Sequence, residues 1–225
     1  MIITGAAGNL GRAVTAKLHH DGWQIYASLG PGDTAGALAG LNVIAEPVNL
    51  LDEKAAAAYA DKVHQKASAV QAAILLVGGF AVGDLAHTSG DDLDKMIALN
   101  FKTAFHLVQP LLRHFKEQGS GQFVFVGARP VLDAGAGKSL VAYTMGKTLV
   151  FKLAELINAE GQGKQITAHV VVPSIIDTPP NRLAMADADF SRWVPPARIA
   201  DSIAFLLTDA GRMWRETVVK IYNES

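Results

Sequence analysis

Tyr143 and Lys147 stand four residues apart in Ala142-Tyr143-Thr144-Met145-Gly146-Lys147. On a helix that spacing puts both side chains on one face. A phenol with an ordinary pKa near 10 transfers protons poorly at neutral pH. An ammonium beside it stabilises the phenolate, so the pair is expected to form a tuned acid with the Tyr143 pKa lowered. Tyrosine and lysine fall four apart by chance on many helices. What surrounds the pair therefore decides whether it does chemistry.

A second element supplies that context. Thr4-Gly5-Ala6-Ala7-Gly8-Asn9-Leu10-Gly11 follows a short apolar run and opens a helical stretch. Small residues let the backbone approach a pyrophosphate, and a helix N-terminus offers free N–H groups and partial positive charge. Gly5, Ala7, Gly8, Asn9, Leu10 and Gly11 are accordingly candidate dinucleotide ligands. Lys147 can then reach the hydroxyls of a bound ribose, which sets the Tyr143–Lys147 pair beside a nicotinamide. NAD or NADP is the expected cofactor. The second apolar run ends Ala27-Ser28-Leu29-Gly30 with no acid before Asp33. That omission, and Arg12 just after the loop, tilt the expectation towards NADP. Arg12 reads equally well as a solvated first-turn residue.

The elements that must position these groups alternate along the chain. Short β-rich apolar runs fall at 1–4, 23–28, 41–45, 72–77, 122–126, 166–172 and 217–221. Between them lie stretches with helical spacing, clearest at 10–20, 53–67, 93–118, 142–159 and 197–208. Strand, helix and strand in repetition predict right-handed crossovers and a parallel sheet covered on both faces. The fold class is therefore α/β: a Rossmann-type doubly wound sheet of about seven strands, three layers deep, in one domain spanning 1–225. The brevity of the first run leaves open whether further residues precede Met1.

Bulk composition excludes several classes of function. Of 225 residues half are hydrophobic and 18% charged, which describes a folded globule. Twenty basic and 21 acidic side chains give a net charge of −1, with no pull towards nucleic acid or an anionic membrane. The absence of cysteine removes disulfides, thiolate metal sites and a Cys nucleophile, and agrees with a cytoplasmic location. No apolar run of about 18 residues is present to span a bilayer. The seven histidines show no ligand spacing, so no metal is expected. Trp23 and Trp214 read as core or interface.

The glycine loop, the Tyr143/Lys147 pair, Asn100 in Leu99-Asn100-Phe101, and Pro173 with Thr178 after the sixth strand resemble the landmarks of short-chain dehydrogenases/reductases. The resemblance runs over nearly the whole chain. It implies that Asn100 supports the active-site helix and a water-linked proton path. It also implies that Pro173, Ile176 and Thr178 face the nicotinamide, Thr178 at its carboxamide, and that Gly78 and Gly79 line the dinucleotide. Asn49 stands where the family has an Asp beside the adenine. A homodimer through helices near 93–118 and 142–159 is the implied assembly, although the same apolar faces could simply cover the sheet.

The departures from the family pattern are specific. The catalytic serine expected before Tyr143 is replaced by Ala128 in Val126-Gly127-Ala128-Arg129, and Ser139 lies too close to Tyr143 to stand in for it. The turn after the fourth strand reads Gly78-Gly79-Phe80. Both features, with Asp177-Thr178-Pro179-Pro180-Asn181-Arg182 and Ala188-Asp189-Phe190-Ser191-Arg192-Trp193, are similar to quinoid dihydropteridine reductases. A quinonoid dihydropterin needs one hydride and one proton, so a tyrosine without a serine could suffice. Phe80 and Trp193 are candidate stacking faces for a flat bicyclic substrate, with packing of a lid as the alternative. Ala128 and Asn181 complete the expected substrate contacts along a loop at 178–196; Asn181 and Arg182 could instead order that loop. Two other functions stay open: a reductase of another carbonyl or quinone, and a non-catalytic dinucleotide sensor.

Overall fold

The computed structural model describes all 225 residues. Seven parallel strands form one sheet in the order β3-β2-β1-β4-β5-β6-β7. They are β1 (Ile2–Thr4), β2 (Tyr26–Leu29), β3 (Ile44–Pro47), β4 (Ala72–Leu75), β5 (Ser120–Val126), β6 (Gln165–Pro173) and β7 (Val218–Ile221). The chain winds outward from β1 to β3, then crosses back to place β4 on the other side of β1. That reversal opens a crevice at the carboxyl ends of β1 and β4, the place where such sheets take ligands. Thr4 holds it together, its hydroxyl accepting from the Leu76 N–H at 3.1 Å.

Helices α1 (Asn9–His20), α2 (Glu53–Lys66), α3 (Gly90–Ile97), α4 (Thr103–Gln118), α5 (Arg129–Leu132), α6 (Ala134–Gly137), α7 (Val141–Glu160), α8 (Pro179–Ala184), α9 (Pro196–Leu206) and α10 (Asp209–Arg212) complete the chain. Burial on both faces explains the unbroken apolar strands. One face packs Leu107, Leu111, Phe115, Val150 and Ile157 from α4 and α7, with Tyr59 and Val63 of α2. The other packs Val14 and Leu18 of α1 with Ile199, Ile203 and Leu206 of α9. Gln118 and Gly119 end α4 with the glycine at φ +83°, the left-handed cap that suits it.

Several elements differ from the sequence expectation. β2 and β3 begin three residues later than the apolar runs. Trp23 instead closes the end of α1, donating to Leu18 O at 3.1 Å, and 41–43 form a turn whose Asn42 N–H meets His19 Nε2 at 3.0 Å. The continuous helix expected over 93–118 starts at Gly90 and is interrupted by a π-helical segment, Ala98–Lys102. The expected loop 178–196 contains α8 and a 3-10 turn, Phe190–Arg192, and Pro196 begins a helix.

Candidate active site

The glycine loop leaves β1 through Gly5, which takes φ +63°, and returns through a Gly8 N–H to Gly5 O bond of 3.0 Å. Gly11 then packs its Cα on the loop: a methyl there would lie 2.0 Å from Gly5 O. No side chain caps the N-terminus of α1 and no acid lies in its first turn. The first N–H groups of that helix, with its positive dipole end, therefore face the crevice without a competing anion.

Tyr143 and Lys147 share one face of α7, and both meet the crevice. The Lys147 Nζ donates to Val126 O, at the end of β5, over 2.8 Å. A methyl added at Gly78, in the turn after β4, would lie 2.6 Å from Asn100 Oδ1 and 3.2 Å from Lys147 Nζ. Lysine, asparagine and the β4 turn thus converge on a single point. Asn100 is buried; its amide donates to Met96 O at 3.0 Å and its carbonyl accepts from the Gly79 N–H at 3.1 Å. It sits inside the π segment. The extra residue of that wider turn is a recurrent feature of functional sites and re-aims the side chains that follow it.

Gly146 explains how α7 comes close enough. A methyl at that position would lie 2.6 Å from Met96 O. The glycine between Tyr143 and Lys147 is therefore a close-approach residue. Sequence reasoning assigned it no role, because a glycine inside a helix carries no sign of what passes beside it.

The expected lowering of the Tyr143 pKa is not found. Burial pushes it up to about 12, and pushes Lys147 down from 10.5 to about 8. The ammonium is turned towards the Val126 carbonyl, so desolvation outweighs attraction at the phenol. Tyr143 is thereby held protonated across the physiological range.

The aromatic surroundings divide. Phe80 is 64% exposed and meets the Tyr143 ring edge-on, with centroids 5.1 Å apart. Its loop is pinned to the start of α7 by Gly83 N–H to Ser139 O (2.8 Å) and Val141 N–H to Gly83 O (2.9 Å). Trp193 corrects the sequence expectation: it is 3% exposed, with Phe190 packed on it at 4.7 Å, so it offers no free face for stacking. Its burial makes it the anchor of the loop. Asn181 likewise serves the loop, its amide donating to Ile176 O at 2.8 Å. Arg182 grips Asp177 through two bonds of 2.6 and 2.8 Å, and that guanidinium holds the Asp177 carboxyl below the usual range.

Ala128 is buried two residues beyond the carbonyl that Lys147 holds, with no hydroxyl in its place. Ser139 is exposed. Thr178 is buried and caps α8, accepting from the Asn181 N–H at 3.4 Å. Pro173 ends β6, and Ile176 bridges Val194. Asn49 lies exposed after β3, accepting from the Leu51 N–H at 3.2 Å.

The model of the short chain dehydrogenase family matches residues 1–188. The chain belongs to that family. It is a family of oxidoreductases whose members generally bind NAD or NADP. A dihydropteridine reductase of Dictyostelium discoideum is 30% identical over 152 residues, covering 64% of this chain; the match spans 62% of that reductase. A 3-oxoacyl-[acyl-carrier-protein] reductase of Thermotoga maritima is 24% identical over 222 residues, covering 92% of this chain and 89% of its own. In three dimensions, a short-chain type dehydrogenase/reductase from Mycobacterium ulcerans superposes with a TM-score of 0.90 at 20% identity, over 99% of this chain and 88% of that one. The sheet order and flanking helices of this short-chain dehydrogenase are thus those of the family's Rossmann-type fold. No helix is long and apolar enough to cross a membrane.

Proposed function

We propose that this short-chain dehydrogenase reduces an electron-poor, quinonoid dihydropterin-like ring with NADPH or NADH. The observation that carries the reading is the buried Ala128 at the position where the family has its catalytic serine, beside an otherwise complete Tyr143, Lys147 and Asn100 set. A ketone developing negative charge on oxygen gains from two donors. A ring that already lacks two electrons gains most from one hydride and one proton. The likeness to a dihydropteridine reductase supports the same substrate class.

The residues present fit a dinucleotide: no side chain caps the N-terminus of α1 and no acid lies in its first turn, so its first N–H groups are free to meet a pyrophosphate. Gly5, Ala7, Gly8, Asn9, Leu10 and Gly11 would hold its pyrophosphate, Asn49 its adenine, Gly78 and Gly79 its ribose side, and Pro173, Ile176 and Thr178 its nicotinamide. When bound, that group supplies the hydride. Tyr143 holds the proton on its hydroxyl and delivers it to a ring nitrogen of the substrate. Lys147 orients a ribose and keeps positive charge beside the phenolate that results. Asn100 fixes the β4 turn to the end of α3. Phe80 gives the substrate a face to lie on, and Ala128 keeps that side of the pocket free of a competing donor.

NADP is favoured over NAD on the residues near the adenine end. Asp33 is tied to its own turn, its carboxylate accepting from the Gly30 N–H at 2.8 Å. Arg12, exposed on the first turn of α1, is available to a 2′-phosphate. A homodimer is supported by Phe105, Met145 and Leu156, large apolar side chains that α4 and α7 leave exposed.

Steady-state assays with a quinonoid dihydropterin and with simple ketones test the reading. The pterin is turned over and the ketones are poor substrates. Tyr143→Phe abolishes turnover and leaves dinucleotide affinity within about twofold. Fast ketone reduction with no pterin activity overturns the substrate class, and full activity in Tyr143→Phe overturns the proton donor.

A further inference from the structure

A segment remote from the residues so far described packs on the connection that follows β6 and on the turn that follows β5. After β7 the chain doubles back over the 3-10 turn at Phe190–Arg192. Asn223 places its side-chain amide between two carbonyls of that region, donating to Ser191 O at 3.0 Å and Trp193 O at 3.2 Å. The next residue exchanges two bonds with Arg192: Glu224 N–H donates to Arg192 O at 3.1 Å, and Arg192 Nη2 donates to Glu224 O at 2.5 Å. Ser225 then reaches the far wall. Its carbonyl accepts from Arg129 Nη1 at 2.9 Å and its hydroxyl lies 2.8 Å from that of Ser174. The Arg129 guanidinium also lies over the Tyr222 ring, 5.4 Å from its centre.

These four residues therefore tie the exit of β5 to two points of the connection after β6. Arg129 follows Ala128 after β5, Ser174 follows β6, and the 3-10 turn belongs to the loop above the substrate. No hydrogen bond joins Arg129 to residues 189–193 directly, so the link runs through 222–225. A cavity of about 330 Å³ lies along this seam, lined by Ile175, Ala188, Trp193 and Ser225 among others. A three-residue 3-10 turn beside a cavity has little stability of its own. Its place is set by Trp193 below and by the donors above.

We propose that Asn223 is a positioning residue: acting through the strap 222–225, it fixes the substrate loop against the turn that carries Ala128, so that the substrate ring meets Tyr143 in one orientation. The proposal rests on the reading of this crevice as a reductase site. Both partners of the Asn223 amide are carbonyls, so the role needs an N–H donor and not merely a side chain of that volume.

The test compares Asn223→Ala and the isosteric Asn223→Asp with the parent chain. Hydrogen exchange followed by mass spectrometry reads residues 186–193 against β4 and β5. Both variants are expected to exchange at least about tenfold faster in 186–193, with the strands unchanged. The kcat for the dihydropterin falls at least about fivefold while KM and dinucleotide affinity stay within about twofold. Unchanged exchange in 186–193 overturns the strap, as does equal acceleration through the core strands, which marks a general loss of stability. Wild-type behaviour of Asn223→Asp overturns the donor role. The exchange measurement needs no substrate. A failure of pterin turnover in the parent chain therefore counts against the proposed reaction, while the exchange result still decides the strap.

Discussion

Replacing Lys147 with methionine is expected to make the protein more stable and less active. Lys147 is 6% exposed, and burial alone lowers its pKa from 10.5 to about 8. At about 1.4 kcal/mol for each tenfold change in proton affinity, that fall corresponds to about 3 kcal/mol of unfavourable burial at neutral pH. Against it stands the bond from Nζ to Val126 O at 2.8 Å. Methionine fills the space of the lysine stem but leaves that carbonyl without this donor, at a cost of about 1 kcal/mol. The net gain is about 2 kcal/mol, or roughly 4–8 °C in Tm for a chain of this length. The sign of the pH dependence is fixed by the direction of the shift. Between pH 10.5 and about 8 the unfolded chain takes up a proton at Lys147 that the folded chain does not. Wild-type stability from this group therefore falls as pH drops through that window, then levels out below it. Lys147→Met lacks the fall, so its advantage in urea melts is full at pH 7 and shrinks towards pH 10. Reduction of the dihydropterin drops by roughly 10²-fold or more. A variant less stable than wild type at pH 7, or an advantage that does not change with pH, refutes the account of Lys147 as a destabilising group held for chemistry.

Other substitutions probe the rest of the site. Gly11→Ala drives a methyl to 2.0 Å from Gly5 O, so the loop must move; dinucleotide affinity by fluorescence quenching is expected to fall by about 10²-fold, with about 1–3 kcal/mol lost in stability. Ala128→Ser adds a donor where the family has one, and steady-state turnover of a simple ketone is expected to rise about tenfold or more, with pterin turnover little changed. His169 is buried under α9, where burial foremost, aided by Arg215 and opposed by its bond to the Glu216 carbonyl, lowers its pKa. A depressed imidazole contributes stability that is present above its ordinary 6.5 and lost as pH falls further, so urea midpoints decline from pH 6.5 towards 5 and do so less in His169→Gln.

The parallel sheet was legible because its strands are buried on both faces and read as short apolar runs, as Ala72–Leu75 and Gln165–Pro173 do. Tyr143, Lys147 and the glycine loop stood out as candidates because the chemistry proposed for them requires fixed spacing along one element. Features that depend on a neighbour remote in sequence were not. Nothing in Gly146 announces Met96, and nothing in Ala98–Lys102 announces a π turn, since a widened helix has the composition of an ordinary one. Trp193 misled for the same reason. Its position after a loop matched a stacking residue, but the face that would stack is covered by Phe190.

The Tyr143 pKa is shifted opposite to what the spacing implies, because burial acts on the phenol. Spacing places an ammonium beside the phenol but does not say where that ammonium points. In the folded chain it points to Val126 O, and both members of the pair are shifted towards their neutral forms by the apolar walls around them. A phenol kept neutral is a proton donor and a poor base. A lysine whose charge is easily lost is sensitive to any anion brought near it, because a negative partner restores the charged form. Both shifts thus arise from one cause, the burial of the pair where α7 packs against the π segment and the end of β5.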